Sequence, residues 1–295
     1  MKKTFIITIL ISIILGLIFP FGDKIKFLLP ILLSILLFFN FYEVNFNLKD
    51  FLRLEMLYFL IFGLGVLPFI IFVSTFFLPQ DFRLGLFLIA ITPTAIGASV
   101  VVRLLGGNIP FTIANTVFYN FLSIISYPLL LNIYFNKVES SVPVKQIFFN
   151  LLTMILLPFI ISTIFKRIKI IKPFFSKVSK YINFLFIFIV FIAISSSAIY
   201  LRKTQFNILI IVILLTIVVA VLYFLTGFLL GKNIEYKKTL MSCLGQKNTG
   251  ICIWIALSNF QPIVAISATL YIVIHHTINV ILIYIFSRTN KKKKD

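Results

Sequence analysis

The sequence predicts an all-α membrane protein: ten transmembrane helices laid out as two inverted five-helix repeats, with helices 4 and 9 broken and crossed. Three observations predict it. Hydrophobic residues make up 61% of the 295, and only 12% are charged, against roughly 25% in soluble domains. Apolar runs long enough to cross a hydrocarbon core of roughly 30 Å as a helix recur along the whole chain. Two of these runs are interrupted at matching places by proline, glycine and polar residues. A transmembrane β-barrel would instead show alternating strands of about ten residues, and these runs are continuous.

Taken in order, the spans read 4–19, 26–42, 54–78, 83–106, 109–135, 146–165, 181–200, 206–231, 236–258 and 262–286. The first follows Met1-Lys2-Lys3-Thr4 and imitates a signal peptide, with basic residues before an apolar stretch. No small-x-small cleavage site follows, and the next segments are equally apolar, so it reads as a span. Orientation follows from Lys and Arg counted by side. Nineteen fall on the N-terminal side and seven on the other, with one basic residue, Lys247, left over near mid-membrane. The bias places both termini in the cytoplasm of a bacterial inner membrane, and an odd number of spans would scramble it. The stretch 166–180 is a basic cytoplasmic loop, read first as a topology signal and second as an interfacial helix on anionic lipid.

The chain divides into 1–138 and 139–295, five spans each. Because five is odd, the second half enters the membrane inverted, a common plan of secondary transporters. The fourth span of each half is interrupted. The first break reads Thr92-Pro93-Thr94-Ala95-Ile96-Gly97-Ala98-Ser99 and the second Gly245-Gln246-Lys247-Asn248-Thr249-Gly250. Proline removes a backbone donor and glycine weakens a helix, so Pro93, Gly97, Gly245 and Gly250 mark sites of unwinding. Each break leads through a half-helix to a polar corner and a proline, Gly106-Gly107-Asn108-Ile109-Pro110 and Ser258-Asn259-Phe260-Gln261-Pro262. Gly97 to Pro110 is thirteen positions and Gly250 to Pro262 is twelve.

Unwound backbone at membrane depth must be buried in protein or line a wet cavity. Half-helices beginning near Ser99 and Thr249 present positive N-terminal ends and free N–H groups. These favour an anion, or a polar substrate group, at the midplane. The half-helices before them end in free carbonyls, which favour a cation.

Lys247 costs roughly 2.5–3.5 kcal/mol near mid-membrane on insertion scales. It reads as a fixed cation or a proton carrier, against the plainer role of capping carbonyls of the crossed helices. Ser99, Gln246, Asn248, Thr249 and Asn115, with Asn120, are candidates to touch substrate or ion, against simple interhelical hydrogen bonding. Thr112 and Thr116 share one helical face and read as ion ligands unless each bonds back to its own turn. His275 and His276 are adjacent and face different directions; an interhelical hydrogen bond explains one better than a proton relay. Cys243 reads as a packing residue, and Arg103 as a side chain snorkelling to the interface.

The net charge of +19 does not indicate nucleic acid, because the basic residues sit in short loops where they set topology. Cys243 and Cys252 make no metal or disulfide pattern. Two histidines and eight acids leave little for catalysis, and Lys247 with Ser99 is the one conceivable dyad of a membrane-embedded enzyme. No repeated filter or charged ring supports a channel. A cation/proton antiporter of related architecture would need an intramembrane acid, and none of the eight lies at a break.

At the breaks the sequence resembles the bile acid:sodium symporter family. The resemblance covers nearly the whole chain. It rests on Gly245-Gln246-Lys247-Asn248-Thr249-Gly250 with the helix after it, on residues 93–108 with their Gly-Gly-Asn corner, and on a His at 275 in the last span. It implies a panel domain of spans 1, 2, 6 and 7, a core domain of spans 3–5 and 8–10, and sodium-coupled uptake of organic anions such as bile acids and other carboxylates. Partners are then a small organic anion and the lipid bilayer.

The sodium ligands carry over in part. The family's first site corresponds to Ala98 and Ser99, to Thr112 and Thr116, and to Cys243 where the family has an acid. Its second site corresponds to Gly63, Cys243 and Lys247. The first keeps its hydroxyls; the second has no side-chain oxygen and gains an ammonium. The expectation is a secondary transporter with altered or absent sodium coupling. No cofactor is expected beyond sodium at a weakened first site of Ser99, Thr112 and Thr116, with Lys247 and Gln246 at the coupling position.

Overall fold

A computed structural model describes residues 3–43, 53–95, 97–136, 144–168, 170, 172–178 and 181–291. Ile96 of the first break, the repeat boundary at 138–139, and Lys2, Lys49, Lys137, Lys169, Lys180 and Lys292 to Lys294 of the charge count lie outside the described residues. Among the described residues all regular structure is helical, apart from an isolated antiparallel bridge between Thr94 and Lys247.

Among the described residues six helical spans are long and apolar enough to cross a membrane: Gly22–Tyr42, Leu54–Ser74, Ile109–Phe135, Val144–Lys166, Phe206–Leu230 and Pro262–Phe286. With this much apolar helix the chain is an integral membrane protein. The two interrupted spans fall short by length because each is a pair of half-helices. The first pair is α6 (Gln80–Ile91) and α7 (Ala98–Leu105); the second is α13 (Ile234–Gly245) and α14 (Thr249–Asn259).

The remaining helices are α1 (Lys3–Ile18), α2 (Gly22–Ile25), α3 (Leu29–Glu43), α4 (Leu54–Leu60), α5 (Leu67–Ser74), α8 (Ile109–Asn136), α9 (Val144–Lys166), α10 (Lys172–Val178), α11 (Ile182–Lys203), α12 (Phe206–Leu230) and α15 (Ala265–Lys291). α1 lies along α11, and α3 along α9 and α11. α12 packs on α13, while α15 packs on α6, α7, α12 and α14. α12 and α13 approach closely. A Cβ at Gly227 would come within 2.3 Å of Leu240 O, so only glycine fits there. α10 is held by Phe175, whose ring meets Phe38, Phe39, Tyr42 and Phe165. The basic 166–180 stretch therefore holds a short helix against the ends of α3 and α9.

Two local features differ from the sequence reading. The span expected over 54–78 is helical to Ser74, and the next helix begins at Gln80. Pro79, extended at ψ 144°, is its N-cap residue. Within the third span, Ile61–Val66 forms a π-helical turn. Pro68 lies just beyond; its ring cannot pack against a regular preceding turn, and the wider turn relieves that clash.

The first corner shows why its residues are Gly-Gly-Asn. Gly106 ends α7 in the left-handed region at φ 73°, which glycine adopts at little cost. Gly107 N donates to Val102 O at 2.9 Å, and a Cβ there would sit 2.7 Å from Thr239 Oγ1. Asn108 docks the corner on α13, its backbone N–H donating to Thr239 Oγ1 (2.7 Å) and its amide to Glu235 Oε1 (3.0 Å). The Asn108 side-chain oxygen also accepts from Phe111 N (2.9 Å), capping α8.

Candidate functional site at the crossed breaks

Each break leaves helix-end carbonyls and N–H groups inside the protein, and each must find a partner. The two breaks supply partners to one another. Ala95 N donates to Gln246 O (2.8 Å) and Asn248 N to Pro93 O (2.7 Å), on either side of the Thr94–Lys247 bridge. The side chains of the bridged pair reach further. Thr94 Oγ1 donates to Cys243 O in the last turn of α13 (2.8 Å). Lys247 Nζ donates to Ala90 O and Thr92 O at the end of α6, both at 3.1 Å.

Lys247 is 1% exposed. Its ammonium rests on the negative end of α6, where a cation is favoured, and lies 3.7 Å from the centroid of the Tyr223 ring, a cation–π contact. Tyr223 also donates to Ala90 O (2.7 Å), and Tyr271 donates to Gly245 O (2.8 Å). Thr92 Oγ1 meets Tyr127 OH at 2.5 Å and donates to Leu88 O at 2.6 Å. Carbonyls at the ends of both incoming half-helices, Ala90 and Thr92 on one and Cys243 and Gly245 on the other, are thus capped by side chains.

A layer of amides from α8 lies against the crossing. Asn115 donates to Thr94 Oγ1 (3.2 Å), Asn120 to Thr94 O (2.9 Å), and Asn248 to Asn120 Oδ1 (2.9 Å). Asn115, Asn120, Asn248 and Thr249 are all buried. Gln246 is buried too, and among the described residues its side-chain nitrogen has no protein partner; neither do Asn115 Oδ1, Thr116 Oγ1, Tyr119 OH and Ser242 Oγ. These atoms form a set of donors and acceptors still open to a polar ligand or water.

Thr112 Oγ1 bonds back to Asn108 O (2.7 Å) while facing the Cys243 thiol. Ser99 is half-buried at the start of α7, and the space around Gly97 is open. Pro93, Gly245 and Gly250 are buried in the crossing. Gly63, in the π-helical turn, faces the Tyr119 hydroxyl and Leu244. The carbonyls at the end of α6 that a bare cation would seek already receive bonds from an ammonium.

Sequence reasoning missed Tyr127, Tyr223 and Tyr271, and did not give Thr94 a role of its own. A signal existed for the tyrosines: a phenol inside an apolar span carries a hydroxyl that must find a partner when buried. Which carbonyl each one meets is a tertiary fact and leaves no mark in local sequence.

A family model described as the SBF-like CPA transporter family, of bile acid:sodium symporter type, matches residues 3–292, nearly the whole chain. No curated protein matches it.

Proposed function

The chain belongs to the SBF-like CPA transporter family, and from that premise we propose that it is a secondary transporter for a small organic anion whose sodium coupling is altered or absent. The observation that carries this reading is the seat of Lys247, whose Nζ is bonded to the α6 carbonyls at the crossing. A sodium ion needs several hard oxygens close together. Beside an ammonium at the low effective dielectric of a buried site, it would be strongly repelled. Lys247 takes over the carbonyls, and proton coupling or facilitated exchange takes over the driving role.

The substrate meets the crossing between a core of spans 3–5 and 8–10 and a panel of spans 1, 2, 6 and 7. Ser99, Asn115, Asn248 and Thr249 offer polar contacts, and the N-terminal ends of α7 and α14 bias the site toward anions. The packing of α1 on α11 and of α3 on α9 supports the panel grouping.

The reading of two inverted five-helix repeats draws support from the bonds at the breaks. Thr94 and Lys247 stand 153 positions apart, as do Gly97 and Gly250. Shifted by that number, the bond from Ala95 N to Gln246 O becomes the bond from Asn248 N to Pro93 O. The same shift turns the Thr94 bond to Cys243 O into the Lys247 bond to Ala90 O. A two-fold axis between Thr94 and Lys247 would impose this exchange.

In this reading both termini face the cytoplasm of a bacterial inner membrane. Counterflow in proteoliposomes tests the function. Preloaded carboxylate or sulfonate, drawn from thermal-shift hits on the purified protein, should accelerate entry of the labelled compound. Selectivity for organic cations over anions would contradict the electrostatic argument, and chemical conversion of the compound without counterflow would point to an enzyme.

A further inference from the structure

α15 carries a polar stripe that the crossing does not use up. Ser267, Tyr271, His275 and Asn279 follow at four-residue intervals, each a neighbour of the next on the helix surface. Exposure is 1% at Ser267, 0% at Tyr271, 3% at His275 and 0% at Asn279. Tyr271 is satisfied through Gly245 O. Among the described residues the Ser267 hydroxyl, His275 Nδ1 and both amide atoms of Asn279 have no hydrogen-bond partner of good geometry, although the His275 ring faces the Tyr271 backbone. Buried polar side chains are nearly always bonded, to protein or to ordered water. An asparagine at zero exposure with neither amide atom bonded therefore calls for water, as do His275 and Ser267 further up the stripe. Twelve residues of helix cover about 18 Å, more than half of a hydrocarbon core of roughly 30 Å.

We propose that Ser267, His275 and Asn279 line a file of ordered water along α15, with His275 taking up and releasing a proton, and that the file passes Tyr271 at the second break. The inference rests on the transporter reading above and gives it a proton route. Serine and asparagine both donate and accept, so they hold water in line. Histidine is the side chain whose ordinary range lets it change charge near neutral pH. Its neutral ring accepts a proton from water on one nitrogen and returns one to water, with no other reactant consumed.

The His275 ring has two ring neighbours, Tyr271 at 5.6 Å and His276 at 4.2 Å between centroids. The close second imidazole opposes double protonation, so the pair carries one proton at a time. Around α15, the neighbouring elements offer Tyr223 on α12, Cys252 on α14 and Lys247 at the break, the last already engaged with the α6 carbonyls. The arginines of α6 and α7 and the basic end of α11 lie toward helix ends. A proton on His275 sits one turn from Tyr271 and so places a charge close to the cap on Gly245.

The chain has two histidines, so ¹⁵N-histidine labelling in lipid nanodiscs, with His276→Gln for assignment, isolates one imidazole. The ring should exchange protons with water. Asn279→Leu, which removes the amide at similar volume, should slow water exchange at His275 at least tenfold. Ser267→Ala, a milder change, serves if Asn279→Leu does not fold, and should slow exchange several-fold. A His275 ring shielded from water in the unaltered protein, or equal exchange in protein and variants, overturns the proposal. Neither readout needs a transported substrate, so failure here is separate from failure of the counterflow assay.

Discussion

Thr94 and Lys247 face each other across the two breaks, and each caps the half-helix that leads into the other's break. The pairing joins α6 to α13 through side chains and through the two flanking backbone bonds. It makes the crossing one bonded unit.

The two caps should therefore be coupled. Thr94→Val leaves Cys243 O without its donor, and Lys247→Met leaves Thr92 O bare and Ala90 O with Tyr223 alone. Each orphaned buried carbonyl costs roughly 1–3 kcal/mol. Thermal unfolding in detergent should show both losses, and the double variant should depart from additivity by about 0.5–3 kcal/mol. Strict additivity would show that the breaks are stabilised independently.

The first corner should be sensitive to single atoms. Gly106→Ala puts a Cβ at φ 73° and should cost about 1–2 kcal/mol. Asn108→Ala removes the α8 cap, typically ~1 kcal/mol, and also the amide bond to Glu235. Both variants should melt earlier. An unchanged melt for Asn108→Ala would mean that water replaces every bond of that side chain.

Asn115→Leu and Asn248→Leu should each reduce counterflow at least tenfold, equivalent to about 1.4 kcal/mol of lost interaction, in protein that still reconstitutes. Asn248→Leu should be the more harmful to stability, since it also strips Asn120 Oδ1 of its donor. Uptake unchanged in both variants would move the substrate away from the crossing.

How much of this was legible in the sequence depends on the kind of bond involved. The breaks were legible because Pro93, Gly97, Gly245 and Gly250 interrupt apolar runs at matching intervals, and helix interruption is a local property. Lys247 was legible because a lone charge in an apolar span stands out. The Gly-Gly-Asn corner was legible as a turn, and its docking on Thr239 and Glu235 was not. The π-helical turn at Ile61–Val66 stayed hidden because Pro68 alone does not say how the preceding turn will widen. The tyrosine caps stayed hidden for a different reason: Tyr223 and Tyr271 look like any aromatic in a lipid-facing run until the packing of α12 and α15 on the breaks is known. The polar stripe of α15 was visible only as two adjacent histidines, because Ser267 and Asn279 gain meaning from burial.

The central claim is that Lys247 stands where sodium would be bound, and uptake into proteoliposomes under imposed ion gradients tests it most directly. Transport of a counterflow-positive anion should be independent of an inward sodium gradient, or only weakly dependent through Ser99, Thr112 and Thr116. Lys247→Ala should abolish coupling to the replacement driving force, and Lys247→Gln should restore some ion dependence by supplying an oxygen where the ammonium was. Steep sodium stimulation with two ions per cycle, unchanged in Lys247→Ala, would contradict the account and return the protein to ordinary sodium symport.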